Sequence, residues 1–457
     1  MDVQTHPAGV RYADASNALN LLEQIETRRC TVAVMGLGYV GLPLALVSIK
    51  AGFKVLGFDT NEARVEQLNR GNSGIKHIPG AAIMEALDAR RFQATKDFVR
   101  LSEADVILIA VPTPLTRNRE PDLSFVEKST QAIADALRPG QLVVLESTTW
   151  PGTTREIMQP ILEATGLKAG KDFFLAFSPE REDPGNGQYG TATIPKVVGA
   201  DDPTSLRLVR ALYDLLVVRT VPVSSTAAAE AVKLTENIFR CVNIALVNEL
   251  KVIYEKMGID VWEVIDAAKT KPFGYMPFYP GPGLGGHCIP IDPFYLTWKA
   301  RELEIVTRFI ELAGEINTNM PHYVVDRLLE ALDSQAGRAL KGARILLIGM
   351  SYKKNVEDTR ESPSLKLMDL IERRGARVDY HDPYVAEIPP TREHAKLSGR
   401  RSVELSEDNL GSYDAVLIST DHDVIDWRYV AKASRLVIDT RNACGRNGAA
   451  GPHIVKA

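Results

Sequence analysis

Cys288 stands in the stretch YPGPGLGGHCIPIDP (279–293), among four glycines, Gly281, Gly283, Gly285 and Gly286. Glycines there keep side chains away from the backbone, as close approach to a phosphate requires. A helix is expected from about Asp292, so its dipole and unpaired N–H groups can stabilise a thiolate at Cys288 and make it a nucleophile. The competing reading is a small buried filler, the usual fate of a reduced cysteine, but glycine-rich loops rarely need one. Cys30, Cys241 and Cys444 fall in a strand, on an apolar helix face and in a tail, and read as structural. The four cysteines make no C-x-x-C pair and no dense disulfide framework, so a reducing compartment and no metal site are expected.

A second chemistry is written over 31–59, TVAVMGLGYVGLPLALVSIKAGFKVLGFD. Gly36, Gly38 and Gly41 form G-x-G-x-x-G between a strand and a helix, and the next strand ends in Asp59. The three glycines serve a tight turn, backbone approach to a pyrophosphate, and close helix–strand packing. Asp59 suits a ribose diol and would repel a 2′-phosphate, so NAD is favoured over NADP. The context separates this from a glycine turn serving packing alone. Thr113, in AVPTPL, lies at the carboxyl edge where such sheets bind ligands; a plain turn built by Pro112 and Pro114 explains it equally well. Lys233 and Asn237 are four apart on one helical face and could hold an oxyanion or a water; a solvated polar stripe is the alternative. The same choice applies to Glu180 (AFSPERED) and Thr148 (LESTTWPGTT), both just after expected strands.

These residues need a scaffold, and the apolar pattern supplies it. Short β-branched runs at 30–35, 54–59, 106–111, 142–147, 173–177 and 196–199 alternate with helical segments, as in a doubly wound parallel sheet. Positions 226–257 contain no Gly or Pro, and their apolar residues recur at three and four, predicting one helix of about 45 Å. A second α/β unit starts near Ala343. The expected architecture is α/β: two Rossmann-like domains flanking a helical centre. The boundaries are an N-terminal extension with a helix near 15–27 (1–30), an NAD-binding domain (31–222), a central helical domain with the cysteine loop (223–332), and a C-terminal domain (333–457). The 457 residues exceed what one core supports. A net charge of −4 gives no support to nucleic-acid or membrane-surface binding. No secretory signal and no bilayer-spanning run are read, so a cytoplasmic protein is expected.

Several motifs together, GLGYVGLP, VPTP, ESTTWPGTT, SPERE, VKLTENIFRCVNIALVNE, GGHCIPIDP and YKKNVEDTRESPS, resemble those of the UDP-glucose/GDP-mannose dehydrogenase family, in its order, from about residue 31 to 440. The resemblance implies a C-terminal nucleotide-sugar domain, a homodimer or higher oligomer, and oxidation of a sugar C6 alcohol to a carboxylate in two NAD-dependent steps. It makes Cys288 the nucleophile whose thiohemiacetal can lose a second hydride, giving a thioester that water cleaves. Lys233 and Asn237 then stabilise oxyanions, Asp292 and Thr148 position the catalytic water, and Glu180 is the acid/base group for thioester hydrolysis. The cofactor set becomes Gly36, Gly38, Tyr39, Val40, Gly41, Asp59, Arg64, Thr113, Thr148 and Arg360. The substrate set becomes Glu180, Arg181, Lys233, Asn237, Tyr279, Gly281, Gly283, Gly285 and Lys353.

The departures bear on substrate. Ile291 stands where members acting on UDP-glucose often carry a lysine, and Pro272 and Phe273, beside Lys271, occupy the region of an arginine that in some members reaches the neighbouring subunit's substrate. The wording TKPFGYMPFYPGPGLGGHCIPIDP looks more like the bacterial branch acting on UDP-N-acetylhexosamines. UDP-N-acetylglucosamine is the expected substrate, in surface-polysaccharide (O-antigen) synthesis, with UDP-N-acetylmannosamine or UDP-glucose as alternatives. His287 is read as an orienting or packing residue. A two-electron hydroxyacid-type dehydrogenase is the different-class alternative, but it needs neither Cys288 nor the C-terminal domain. A non-catalytic dinucleotide sensor is a third reading, against which the intact catalytic set argues.

Overall fold

The structure, a computed structural model, describes residues 11–75, 78–116, 120–182, 190–286, 288–391 and 393–457; His287 and part of the SPERED segment lie outside them. The chain divides into two compact units, Met1–Glu236 and Asn237–Ala457.

In the first unit, runs of β-branched and aromatic residues form eight strands: β1 Thr31–Met35, β2 Lys54–Phe58, β3 Phe92–Thr95, β4 Val106–Ile109, β5 Leu142–Leu145, β6 Phe174–Phe177, β7 Lys196–Gly199 and β8 Thr220–Val223. Their order is β3-β2-β1-β4-β5-β6-β7-β8, so the chain reverses direction across the sheet between β1 and β4, where α/β sheets open a ligand crevice. Every pairing is parallel except β6–β7, which is antiparallel and joined by the single pair Phe177–Gly199. That reversal departs from the all-parallel expectation, and the connection producing it carries Glu180 and Arg181. The N-terminal helix Arg11–Glu26 buries Leu21, Leu22 and Ile25 in the same core as Leu208, Val209 and Leu212 of the helix Pro203–Asp214.

The second unit holds five parallel strands: β9 Arg344–Ile348, β10 Arg377–His381, β11 Ala415–Ile418, β12 Val437–Asp439 and β13 Ile454–Lys456, ordered β10-β9-β11-β12-β13. Ile345 and Leu347 enter one core, Leu346 and Ile348 the other. The sheet is therefore covered on both faces, which explains why its central strands β9 and β11 read as near-continuous apolar runs, whereas the edge strand β10, RVDYH, alternates buried and exposed residues. The long helix Thr226–Lys256 has 31 residues and runs through the division between the units. Among the described residues, no helix is long and apolar enough to cross a membrane.

Candidate active site

At the β1–β4 switch point the glycine turn has the form that a dinucleotide pyrophosphate needs. Gly36 has φ +89°, and its N–H donates to Phe58 O at 2.8 Å. A Cβ there would come within 2.5 Å of Ala110 O. A Cβ on Gly41 would overlap the Gly36 carbonyl. Gly38 is exposed, with nothing within 4 Å of where its Cβ would be. The turn is thus packed tight behind and open in front. Asp59 accepts from Leu37 N at 3.0 Å and from Asn61 N at 2.9 Å, which orients its carboxylate at the end of β2. Arg64 donates through Nε and Nη2 to Leu37 O at 3.1 and 2.8 Å, bracing the turn from outside. Tyr39, Val40 and Thr113 are half-buried around the same edge, and Ser147 Oγ donates to Val111 O at 2.7 Å, tying the segment after β5 to the one after β4. This geometry fits NAD.

Thr148 is half-buried in the segment that follows β5 and leads into a π-helical turn, Thr154–Met158. The N–H groups opening that turn are capped by Glu230 of the long helix. It accepts from Thr154 N at 2.9 Å, from Thr154 Oγ1 at 2.7 Å and from Gly152 N. Glu230, Lys233 and Asn237 follow one another at three and four, and all three are buried. A solvated stripe is therefore excluded for Lys233 and Asn237.

Lys233 Nζ donates to the main-chain oxygen of Glu180. The Glu180 carboxylate is held on both sides: Oε1 accepts from the N–H groups of Arg181 and Glu182 at 2.7 and 2.6 Å, and Oε2 pairs with Lys196 Nζ at 3.2 Å. Arg181 is fixed by Glu236 at 2.5 Å and by Pro195 O at 2.7 Å. Burial works to raise the Glu180 pKa. The charge of Lys196, the Glu182 N–H and the charge of Lys233 outweigh it and hold the carboxyl below its usual range. Glu180 is thus a carboxylate at neutral pH, suited to accept a proton.

In the second unit, Asn237 Nδ2 donates to Asp292 Oδ2, and Arg240 donates to Asn237 Oδ1. Asp292 opens the helix Asp292–Glu302, and its N–H bonds back to Cys288 O at 2.8 Å, so Cys288 heads the turn that enters this helix. The loop before it lies close against other parts of the unit. A Cβ on Gly281 would overlap the Arg441 guanidinium, and one on Gly285 or Gly286 would meet Tyr352 at 2.5 or 2.9 Å. Gly281 N also donates to buried Asn248 Oδ1 at 3.0 Å, and Gly286 N to Arg360 O at 3.0 Å. The glycines are therefore needed for packing inside the protein, a reason additional to phosphate approach. Gly283 sits against Asn317 and Pro321.

Tyr279 is exposed, with Asp266 and Lys269 about its hydroxyl. Arg360 is paired with Asp358. Lys353 follows β9 in a segment shaped by Asp382, which accepts from Met350 N and Ser351 N at 2.6 and 3.0 Å and from His422 Nε2 at 3.0 Å. His422 Nδ1 accepts Asn355 N–H at 3.0 Å, which fixes the proton on Nε2.

Cys288 is half-buried, whereas Cys30, Cys241 and Cys444 are buried. Burial pushes the Cys30 and Cys444 thiols up to about 12 and raises Cys241 as well, leaving them unreactive. Lys196, Glu146, Tyr213, Glu230 and Arg240 were not evident from sequence spacing; the only local sign was a lysine opening the apolar run KVVG. Among the described residues, no group of His, Cys, Asp or Glu could hold a metal ion.

A 3-2-1-4-5 strand order with this glycine turn and Asp59 is the arrangement of a dinucleotide-dependent oxidoreductase, and NAD is its cofactor. Residues 30–217 match the NAD-binding domain of the UDP-glucose/GDP-mannose dehydrogenase family, 227–319 its central domain and 346–446 its UDP-binding domain. The chain belongs to that family. It is 36% identical over 420 residues to a UDP-N-acetyl-D-glucosamine 6-dehydrogenase of Pseudomonas aeruginosa, covering 90% of this chain and 96% of that protein. It is 34% identical to a UDP-N-acetyl-D-mannosamine dehydrogenase of Pyrococcus horikoshii, covering 90% and 95%. The solved structure of the UDP-D-ManNAc dehydrogenase from Pyrococcus horikoshii superposes with a TM-score of 0.83 at 33% identity, covering 93% of this chain and 98% of that one.

Proposed function

We propose that this dehydrogenase oxidises the C6 hydroxyl of a UDP-N-acetylhexosamine, UDP-N-acetylglucosamine, to the carboxylate through a thioester on Cys288. The carrying observation is that Cys288, alone among the cysteines half-buried, heads the turn into the helix whose first residue, Asp292, is bound to Asn237. NAD supplies the hydride acceptor for both oxidations. The first oxidation leaves an aldehyde. The Cys288 thiolate adds to its carbonyl carbon, and the oxyanion formed needs donors, a role for Lys233 and the Asn237 amide. Loss of the second hydride gives the thioester. Water positioned by Asp292 and Thr148 attacks it while Glu180 takes the water proton, and the thiolate leaves. Overall one alcohol, one water and two NAD+ become one carboxylate, two NADH and three protons. The division into 31–222, 223–332 and 333–457 assigns NAD, the cysteine loop and the UDP-sugar to successive domains.

Names among the relatives favour N-acetylated sugars but differ over which one. Ile291, in place of a lysine, also points away from UDP-glucose. The test is a side-by-side kcat/KM comparison of UDP-GlcNAc, UDP-ManNAc, UDP-GalNAc and UDP-glucose, with NADH counted under limiting sugar. Two NADH per sugar and the highest value for UDP-GlcNAc are expected. One NADH per sugar sinks the four-electron reading, and a preference for another sugar sinks the substrate assignment. Exposed Phe239, Leu246 and Ile253, seven apart on the long helix, support a homo-oligomer through that face. Sedimentation should give a dimer or larger; a monomer at micromolar concentration would exclude it.

A further inference from the structure

Behind Glu180 lies a cluster of ionisable groups that the proposed reaction does not use. Lys196, the first residue of β7, has a side chain only 3% exposed. Its Nζ lies 2.5 Å from Glu146 Oε2 and 3.2 Å from Glu180 Oε2, bridging the two carboxylates. Glu146, just past β5 and fully buried, also accepts from the hydroxyl of Tyr213 in the helix Pro203–Asp214. Burying an ion pair this completely is poor economy for stability, since apolar side chains of similar volume usually do as well. Its retention beside a proton acceptor calls for another reason.

The arrangement provides one. Glu180 sits on the connection created by the antiparallel β6–β7 pairing, and Lys196 reaches it from the sheet behind. One carboxylate oxygen is held by two N–H groups of its own loop, the other by Lys196, so the side chain has a single orientation. We propose that Lys196 is the positioning residue that fixes Glu180, as a carboxylate, for release of the acid from the thioester. This rests on the reading of Glu180 as the group that takes the water proton. In that step water oxygen bonds to the thioester carbon, Glu180 accepts one water proton, the C–S bond breaks, and Cys288 departs as thiolate.

The charges fit. The groups facing Glu180 are Lys196 from β7, Glu146 after β5, Tyr213 from its helix, Lys233 from the long helix, and the backbone N–H groups of Arg181 and Glu182 from its own loop, whose side chains turn to Glu236 and Thr191. Burial acts to lower Lys196, but the Glu146 and Glu180 carboxylates outweigh it and keep the ammonium charged. Glu146 moves the other way from Glu180: burial raises it, against the pull of Lys196 and with the Glu180 charge adding to the rise. Two carboxylates sharing one lysine are thereby driven apart, and the one at the loop stays ionised.

Removing Lys196 alone would strand a buried Glu146, so the informative variant is the double substitution Lys196→Met with Glu146→Leu, which deletes both charges together. Mixed rapidly with NAD and UDP-N-acetylglucosamine, it should release a burst of two NADH per site and then turn over at least about tenfold more slowly than the unaltered enzyme, because release becomes limiting. The acidic limb of its steady-state pH profile should rise by about one unit. Slowed hydride steps with no burst in the double variant mean that the pair serves general structure and not release, which overturns the proposal. Glu146→Gln, which leaves the Lys196 charge to Glu180 alone, should move the acidic limb the opposite way, downward. A double variant with an unaltered rate and profile, or a limb that stays or rises in Glu146→Gln, overturns the proposal. Glu180→Gln separates the two levels. If it turns over normally, the reading of Glu180 itself fails; if it shows the burst and the double variant does not, only the role of Lys196 fails.

Discussion

Cys288→Ser should form acid at least about a thousandfold more slowly than the unaltered enzyme, a loss of about 4 kcal/mol of transition-state stabilisation. The substitution exchanges one atom at a half-buried position and leaves the Cys288 carbonyl free to keep its bonds with Ile291 N and Asp292 N, so folding and UDP-sugar affinity should hold. What changes is nucleophilicity: a serine hydroxyl is almost wholly protonated at neutral pH, whereas a thiol has an accessible thiolate. The first hydride can still leave, giving aldehyde, but the second needs a tetrahedral adduct bearing an oxygen that can expel it. Quenched turnover of the unaltered enzyme, read by intact mass spectrometry, should show a sugar-nucleotide adduct that the serine variant lacks. Full acid production by Cys288→Ser would rule out the covalent route.

The parts of this molecule legible in its sequence are those written in local spacing. The glycine turn, the strand ending at Asp59, the 31-residue helix and the helix opening at Asp292 each come from residues a few positions apart. Three strands were not evident. β3 is a four-residue run, FQAT, with one exposed polar position; β8, TVPV, carries Pro222; and β13 is three residues at the end of the chain. All three lie at sheet edges, where a strand may be short and proline costs no ladder bond on its open side. The antiparallel β6–β7 step was equally silent, because nothing in two four-residue apolar runs encodes their relative direction.

The same limit applies to the site. Cys288, Glu180, Lys233, Asn237 and Asp292 stand in recognisable motifs. Lys196 meets Glu146 across 50 residues, Tyr213 meets Glu146 across 67, and Glu230 meets Thr154 across 76. A buried charge is indistinguishable from an exposed one in the sequence until the fold supplies its partner. The groups that touch the substrate in the proposed reaction are therefore easier to read than those that hold them.

Gly41→Ala should weaken NAD binding by about a hundredfold, close to 3 kcal/mol, while leaving UDP binding unaltered in calorimetric titration. The added methyl would overlap the Gly36 carbonyl, and Gly36 has no way to retreat. Its N–H is bonded to Phe58 O, its φ of +89° suits only glycine, and Ala110 stands immediately behind it. The helix Gly41–Lys50 must move outward, taking its N-terminal N–H groups away from the place the pyrophosphate occupies. Gly38→Ala is the contrasting case. Nothing lies within 4 Å of its Cβ position, so that variant should keep the thermal midpoint of the unaltered enzyme and lose affinity only where the cofactor itself meets the methyl. If Gly41→Ala binds NAD within threefold of the unaltered chain, the tight packing behind the turn is not what shapes the cofactor site. If Gly38→Ala does, the open face in front of the turn is not where the pyrophosphate lies.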